Sequence, residues 1–216
     1  MVVIKVNRDM KSIKQFIYRG LIPFIRIWKK LSWYNYLTTH HEINLIIGAG
    51  PTKYKGWFPT DIVTLDVTNK NHFKKYFKKK KINKILAEHV LEHLTVSELE
   101  LMIQNFYKYS DQKVNIRIAV PDGFHKDKNY IDAVKPGGTG EGADDHKNLF
   151  NYKSLSALFE KYGFKANLVD YWDEEGEFHN SYSNDENGYI LRSFLNDKRN
   201  KDGKPNYTSL IIDFCK

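Results

Sequence analysis

Ile43-Asn44-Leu45-Ile46-Ile47-Gly48-Ala49-Gly50-Pro51 is a short apolar run that halts on glycines and a proline. Its length and isoleucine content predict a buried strand that enters a tight turn. Glycines directly after a first strand let backbone approach a ligand with no side chain in the way. A dinucleotide fingerprint would put a third glycine three residues after Gly50, where Lys53 stands, which disfavours a nicotinamide enzyme. Pro51 and Gly56 also oppose a long helix starting at once.

Outward from this turn the pattern alternates. Phe58–Leu65 predicts one or two short strands around Asp61. Asn71–Lys80 predicts a helix with Phe73 and Phe77 on one face, and Ile82–Ala87 another strand. From Val96 to Tyr109, Leu99, Ile103 and Phe106 form a helical stripe, with Thr95 or Ser97 as the cap. Val114, Ile116, Ile118 and Val120 alternate as a strand does, and Pro121-Asp122-Gly123 stops it. Residues 124–147 read as a long polar loop and Tyr152–Tyr162 as a helix ended by Gly163. Phe164–Tyr171 and Ser209–Phe214 supply two late strands joined by a polar excursion. Strands alternating with helices predict an α/β, Rossmann-like sandwich, mostly parallel, with helices on both faces.

Residues 1–40 stand apart as a basic helical appendage, leaving 41–216 as the main domain. Ile13, Phe16, Ile17 and Leu21 have helical spacing, Pro23 interrupts, and Phe24, Ile27, Trp28 and Leu31 resume it. Lys11, Lys14, Arg19, Arg26, Lys29 and Lys30 accompany them with no acid between. The segment is read either as an amphipathic helix on a membrane surface, with residues 11–31 making the contact, or as a helical hairpin covering the sheet or an active-site mouth. The chain carries a formal charge of +8 from 34 basic and 26 acidic residues, with a second cluster at Lys74, Lys75 and Lys78–Lys81. That charge suits nucleic acid, anionic lipid or a phosphorylated substrate, or simply a solvated lysine face. No apolar run reaches the roughly 20 residues that span a bilayer, and no signal-peptide pattern is found. Cys215 is the single cysteine, so no internal disulfide forms and a cytoplasmic location is expected.

In parallel sheets ligands sit at the carboxyl ends of strands, so the residues just after each strand are the first candidates for chemistry. Asp61, at the end of the second expected strand, is placed to accept both ribose hydroxyls of a nucleoside, or else it is an ordinary strand-end aspartate. Asp66 is placed to accept from an adenine amino group. His89, Glu92 and His93 follow Ile82–Ala87, and on a helix start they share one face. Imidazole plus carboxylate suits a divalent ion such as Mg or Mn, with His146 as the natural further ligand. Without an ion, His89 or His146 becomes the general base. The alternative is that Glu92 and His93 only hold a helix start and its loop. Asp122 and His125, after the next strand, either contact acceptor hydroxyls or merely end that strand.

Taken together, Gly-x-Gly after strand one, Gly56-Trp57-Phe58-Pro59-Thr60-Asp61, His89-Val90-Leu91-Glu92-His93-Leu94, Arg117-Ile118-Ala119-Val120-Pro121-Asp122 and Asp145-His146-Lys147 carry a resemblance. The chain resembles, over roughly residues 43–216, class I methyltransferases that use S-adenosylmethionine, members of which are found beside glycan-assembly genes. That resemblance implies that Gly48, Ala49, Gly50 and Asp61 line the cofactor pocket, with Asp66 near adenine and Glu88 near the methionyl or ribose side. It implies methyl transfer, to a sugar or glycan hydroxyl first. An RNA 2′-O-type acceptor comes second, and a cofactor-binding scaffold without turnover third. Two departures stand out: Ile46 replaces an acidic residue common two positions before the first glycine, and the helix after the glycine turn is reduced to Pro51–Gly56. The aromatic, acidic stretch Tyr171–Tyr189, with Trp172, Phe178 and Tyr182, reads as a carbohydrate-stacking surface or as an excursion packed on its own rings.

Overall fold

The structure, a computed structural model, describes the backbone of residues 3–216 and the side chains from residue 21 onward. It divides into two units, Met1–His40 and His41–Lys216. In the first, helix α1 (Val3–Thr39) runs uninterrupted through Pro23, so the expected hairpin is absent. Proline removes one helical hydrogen bond, a cost of about 3 kcal/mol, but the turns on either side can carry the helix past it. Leu21, Phe24, Ile27, Trp28 and Leu31 form an exposed stripe on α1. The side chains of Lys11, Ile13, Lys14, Phe16, Ile17 and Arg19 lie outside the described residues.

The second unit contains β1 (Asn44–Ile47), β2 (Phe58–Pro59), α2 (Lys70–Tyr76), β3 (Ile82–Glu88), α3 (Val96–Tyr109), β4 (Ser110–Pro121), α4 (Lys128–Val134), α5 (Tyr152–Glu160), β5 (Lys165–Trp172), β6 (Phe178–Asn180) and β7 (Ser209–Cys215). The strands make one seven-stranded sheet in the order β2-β1-β3-β4-β7-β5-β6. The first four run parallel, while β7 is antiparallel to both β4 and β5. Interior strands with both faces covered read as near-continuous apolar runs. β7 does so: Ser209 through Phe214 are all buried. This is a Rossmann-like sandwich.

Each helix forms for a local reason. Thr95 and Glu98 make a reciprocal capping box at the start of α3, whose Leu99, Met102, Ile103 and Phe106 are buried. Asn151 and Ser154 do the same for α5, and the chain leaves that helix through Gly163 at φ 93°. Right-handed crossovers from β3 to β4 and from β4 to β5 place α3 and α5 on one face. Phe159 of α5 stacks on Phe214 at 3.9 Å, and Phe73 of α2 meets Phe106 of α3. On the opposite face Ile46, Leu86, Ala119 and Ile211 form an apolar cluster with Tyr182 and Ile190, joined by Tyr54 and Trp57. There the irregular segment 181–195 lies over the sheet. Residues 51–57, after the glycine turn, form no helix.

Arg117 sits on that second face and is 2 % exposed. Its guanidinium donates to both oxygens of Asp213 at 2.8 Å, to Asp185 at 2.7 and 3.1 Å, and to the Gly188 carbonyl at 3.0 Å. The excursion is therefore anchored to the sheet by a fork of charge-assisted bonds. Two expectations change. The loop 124–147 contains α4, capped by Asp127, and a short turn of 3-10 helix at Ala143–Asp145. The strand expected beyond Pro59 is instead a series of turns.

The chain leaves β1 toward β2 on one side and returns to β3 on the other. At such a reversal the connections diverge and open a crevice outside the strands' carboxyl ends. Here those ends carry Gly48-Ala49-Gly50 and Glu88-His89.

Candidate functional site

Gly48 and Gly50 have φ of 59° and 52°, left-handed values that favour glycine. A Cβ on Gly48 would stand 2.7 Å from Val90 Cγ2, so that position also needs a bare backbone. A Cβ on Gly50 would meet nothing within 4 Å, which marks the side of the turn that faces open space. The Ala49 amide donates to the Thr60 carbonyl at 3.0 Å and the Thr60 amide to the Ile46 carbonyl at 2.8 Å. The turn is thus stitched to the residue just before Asp61. Beside it lies a cavity of about 270 Å³, lined by Gly48, Ala49, Gly50, Glu88, His89 and Arg192 among others.

Asp61 and Asp66 are not among the residues lining that cavity. Asp61 Oδ1 accepts the amides of Val63 and Thr64, and Asp66 Oδ1 accepts the Thr68 amide and hydroxyl, so each holds its own turn. Glu88 does line it, but its two oxygens accept the amides of Leu191 at 3.2 Å and Arg192 at 2.7 Å. Its carboxylate fixes the wall of the cavity.

A second cavity of about 520 Å³ includes His89, Glu92, His93, His146, Arg192 and Tyr207 in its lining. His89 and Arg192 border both cavities. His89 is the one non-glycine residue with positive φ among the described residues, at 52°. Such strain costs on the order of 1–3 kcal/mol and persists only where the surroundings over-determine it. Here the His89 amide donates to the Ala119 carbonyl at 2.8 Å, Nε2 lies 3.0 Å from Ser209 Oγ, and Nδ1 lies 3.1 Å from Glu92 Oε1.

This geometry revises the expectation of three ligands on one helical face. Residues 91–93 form a 3-10 turn, and the left-handed His89 precedes it. Both ring nitrogens of His89 are engaged, which takes it out of the ligand set. Glu92, His93 and His146 remain, each offering a ligand atom within 4.8 Å of the others. Glu92 is completely buried, and neither carboxylate oxygen has an aligned hydrogen-bond donor among the described residues, although His89 Nδ1 faces Oε1 at 3.1 Å. Burial pushes its pKa up, but the neighbouring His89 ring, its own backbone amide and the charge of His93 together outweigh that and hold it below its ordinary value. His146 Nδ1 lies 2.6 Å from the Val134 carbonyl, so it carries the proton and leaves Nε2 bare. A buried carboxylate short of donors beside two imidazoles is a donor set that fits a divalent cation.

Asp122 is corrected more firmly. It is fully buried; one oxygen accepts the Phe124 amide at 3.0 Å and the other the Trp172 amide at 2.8 Å. It ties the end of β4 to the end of β5 and cannot reach an acceptor. Desolvation raises its pKa to about 6, against the two amide bonds. His125 is likewise buried, stacked on Tyr130 at 4.0 Å, and desolvation lowers its pKa to about 4. The aromatic stretch also turns inward. Trp172 is 1 % exposed and donates to Thr208 Oγ1, Tyr182 is buried, and Phe178 packs on Trp172 and Phe194. Trp172 and Tyr182 therefore offer no sugar-stacking face.

Sequence reading missed Arg192 and Ser209. The Ser209 amide donates to the Arg192 carbonyl at 3.2 Å while its hydroxyl meets His89. The residues that complete the crevice thus come from more than 100 positions beyond the glycine turn, and no local pattern announces them.

No family model matches the chain, and no curated protein matches it. Several solved structures are similar in layout. One is a SAM-dependent methyltransferase from Archaeoglobus fulgidus, 17 % identical with a TM-score of 0.49, covering 92 % of this chain and 98 % of that one. Another is LepI in complex with SAM, 8 % identical with a TM-score of 0.45, covering 86 % of this chain and 39 % of LepI. A LepI variant in complex with SAH and a substrate analogue is 8 % identical with a TM-score of 0.46, over the same shares. At such identities and scores nothing about activity passes from them to this chain.

Proposed function

We propose that the chain is an S-adenosylmethionine-dependent methyltransferase that modifies a hydroxyl of a sugar or glycan acceptor. The observation that carries this reading is the pairing of cavities at the switch point. One is bordered by the open side of a left-handed glycine turn; the other by a carboxylate and two histidines; His89 and Arg192 stand between them. The glycine turn suits close approach of a nucleoside ligand, and Thr60, bonded to that turn, brings Asp61 next to it.

When bound, the cofactor supplies a methyl group already activated on sulfonium. The chain's own part is to align the acceptor, exclude water and receive a proton. Without an ion, His146 Nε2, made an acceptor by the Val134 carbonyl, suits that last role; with one, the same nitrogen is a ligand and the proton passes to solvent. Glu92, His93 and His146 would hold a divalent cation such as Mg or Mn, which would lower the pKa of a hydroxyl placed on it. The His89 ring, carried on a strained backbone and flanked by Glu92 and Ser209, forms the partition that sets the distance between the two ligands.

The test is transfer of radiolabelled methyl to nucleotide sugars, glycans and RNA, with and without chelator. Label in a sugar hydroxyl, lost with chelator and regained with Mn, is the expected result. Label in RNA alone would replace the acceptor class, cofactor binding without transfer to any acceptor would make the chain a scaffold, and activity unchanged in chelator would remove the ion.

A further inference from the structure

One residue with a permanent positive charge lines the smaller cavity. Glycine backbone, aliphatic side chains, Thr52, Glu88 and His89 make up the rest of its lining with Pro51, and Arg192 alone carries a fixed positive charge. No helix begins after the glycine turn, so no row of free amides points into the cavity to receive an anion. Resting on the methyltransferase reading, we propose that Arg192 binds the α-carboxylate of the cofactor's methionyl tail, the role a helix N-terminus would otherwise fill.

Three observations carry the assignment. The backbone of Arg192 is locked at the seam: its amide donates to Glu88 at 2.7 Å and its carbonyl accepts from Ser209 at 3.2 Å. The guanidinium, by contrast, makes no hydrogen bond or ion pair among the described residues; its charge is felt by Asp197, which is itself paired with Arg199. The other two arginines of residues 41–216 are committed, Arg117 to Asp185 and Asp213, and Arg199 to Asp197. A planar fork of donors on a fixed backbone, half-buried and bordering a glycine-lined cavity whose one carboxylate, Glu88, is spent on backbone amides, suits a carboxylate better than any neutral group. Glu88 takes part indirectly. Its oxygens are spent on the Leu191 and Arg192 amides, which makes it the positioning residue for Arg192.

The test compares two nucleosides by calorimetry: S-adenosylhomocysteine, which carries the amino-acid tail, and 5′-methylthioadenosine, which lacks it. Arg192→Gln is expected to weaken S-adenosylhomocysteine about tenfold to a hundredfold, the range for losing a hydrogen bond to a charged group. It should leave methylthioadenosine within about threefold, since that ligand has no carboxylate to lose. Arg192→Lys, which keeps the charge but not the fork, should fall between, and thermal unfolding of both variants should match the parent. Equal weakening of both nucleosides, or of neither, overturns the assignment. If the parent protein binds neither nucleoside, the methyltransferase reading fails first and takes this assignment with it.

Discussion

Asp122 and His125 lie three residues apart at the end of β4, both buried, and desolvation moves their pKa values toward each other's range. Asp122 rises from 3.8 to about 6, so the folded state holds its proton more tightly than the unfolded chain does. Its contribution to stability is full below pH 4 and disappears as pH climbs through 6. His125 falls from 6.5 to about 4, so the unfolded chain holds that proton more tightly. Its contribution is full above pH 6.5 and disappears as pH drops through 4. Each shift of about two units corresponds to about 3 kcal/mol, and the two slopes oppose each other between pH 4 and 6. Substitution should expose them separately. Asp122→Asn, measured relative to the parent by urea denaturation from pH 4 to 7, should gain about 3 kcal/mol on the parent as pH rises, because the cost of ionising the buried acid is gone. It should also be weaker at pH 4, since an amide nitrogen would face one of the two backbone donors. His125→Phe, which keeps the stacking on Tyr130, should lose ground to the parent over the same range. Variant curves that run parallel to the parent at every pH would refute the reasoning, because neither proton would then be linked to folding.

Gly48→Ala should cost about 1–3 kcal/mol from the left-handed φ and the Val90 contact, and should weaken cofactor binding in calorimetry. Unchanged denaturation would mean that the turn relaxes at no cost. The stripe on α1 leaves Phe24 70 % and Trp28 67 % exposed beside Arg26 and Lys30. Aromatic anchors with basic flanks suit an anionic lipid surface, and among the described residues no helix is long and apolar enough to cross a membrane. The full chain should sediment with vesicles rich in phosphatidylserine, less so with neutral ones, and Trp28→Glu should release it. A concentration-dependent dimer that ignores vesicles would assign the stripe to a second copy instead.

What could be read in the sequence was whatever short-range physics decides. The isoleucine run before Gly48, the alternation of Val114 to Val120 and the Thr95–Glu98 box each act within a few residues, and each element stands where the pattern puts it. α4 escaped because seven residues between Asp127 and Lys135 carry too little apolar periodicity, although Asp127 was a readable cap and Pro136 a readable stop. Asp122 was misjudged for a different reason. A turn sequence looks the same whether its carboxylate meets solvent or the amide of Trp172, fifty positions on. Trp172 was misjudged for the same reason: Asp170, two positions back on the same strand face, reads as solvent-facing, yet both are buried. Arg192 offered no clue, since its value comes from what it lacks, a partner.

The order in which the chain lays down its sheet bears on when the crevice comes into being. β7 is last in sequence yet central in space, wedged between β4 and β5. Ser209, its first residue, touches both His89 and Arg192. During synthesis the early strands can pair around the glycine turn, but the partition between the two chambers lacks the Ser209 contacts that join His89 to Arg192 until residues 209–215 slot in between β4 and β5. Occupancy by a nucleoside would therefore report that β7 is in place, and a chain cut before residue 209 would present the turn with an incomplete wall.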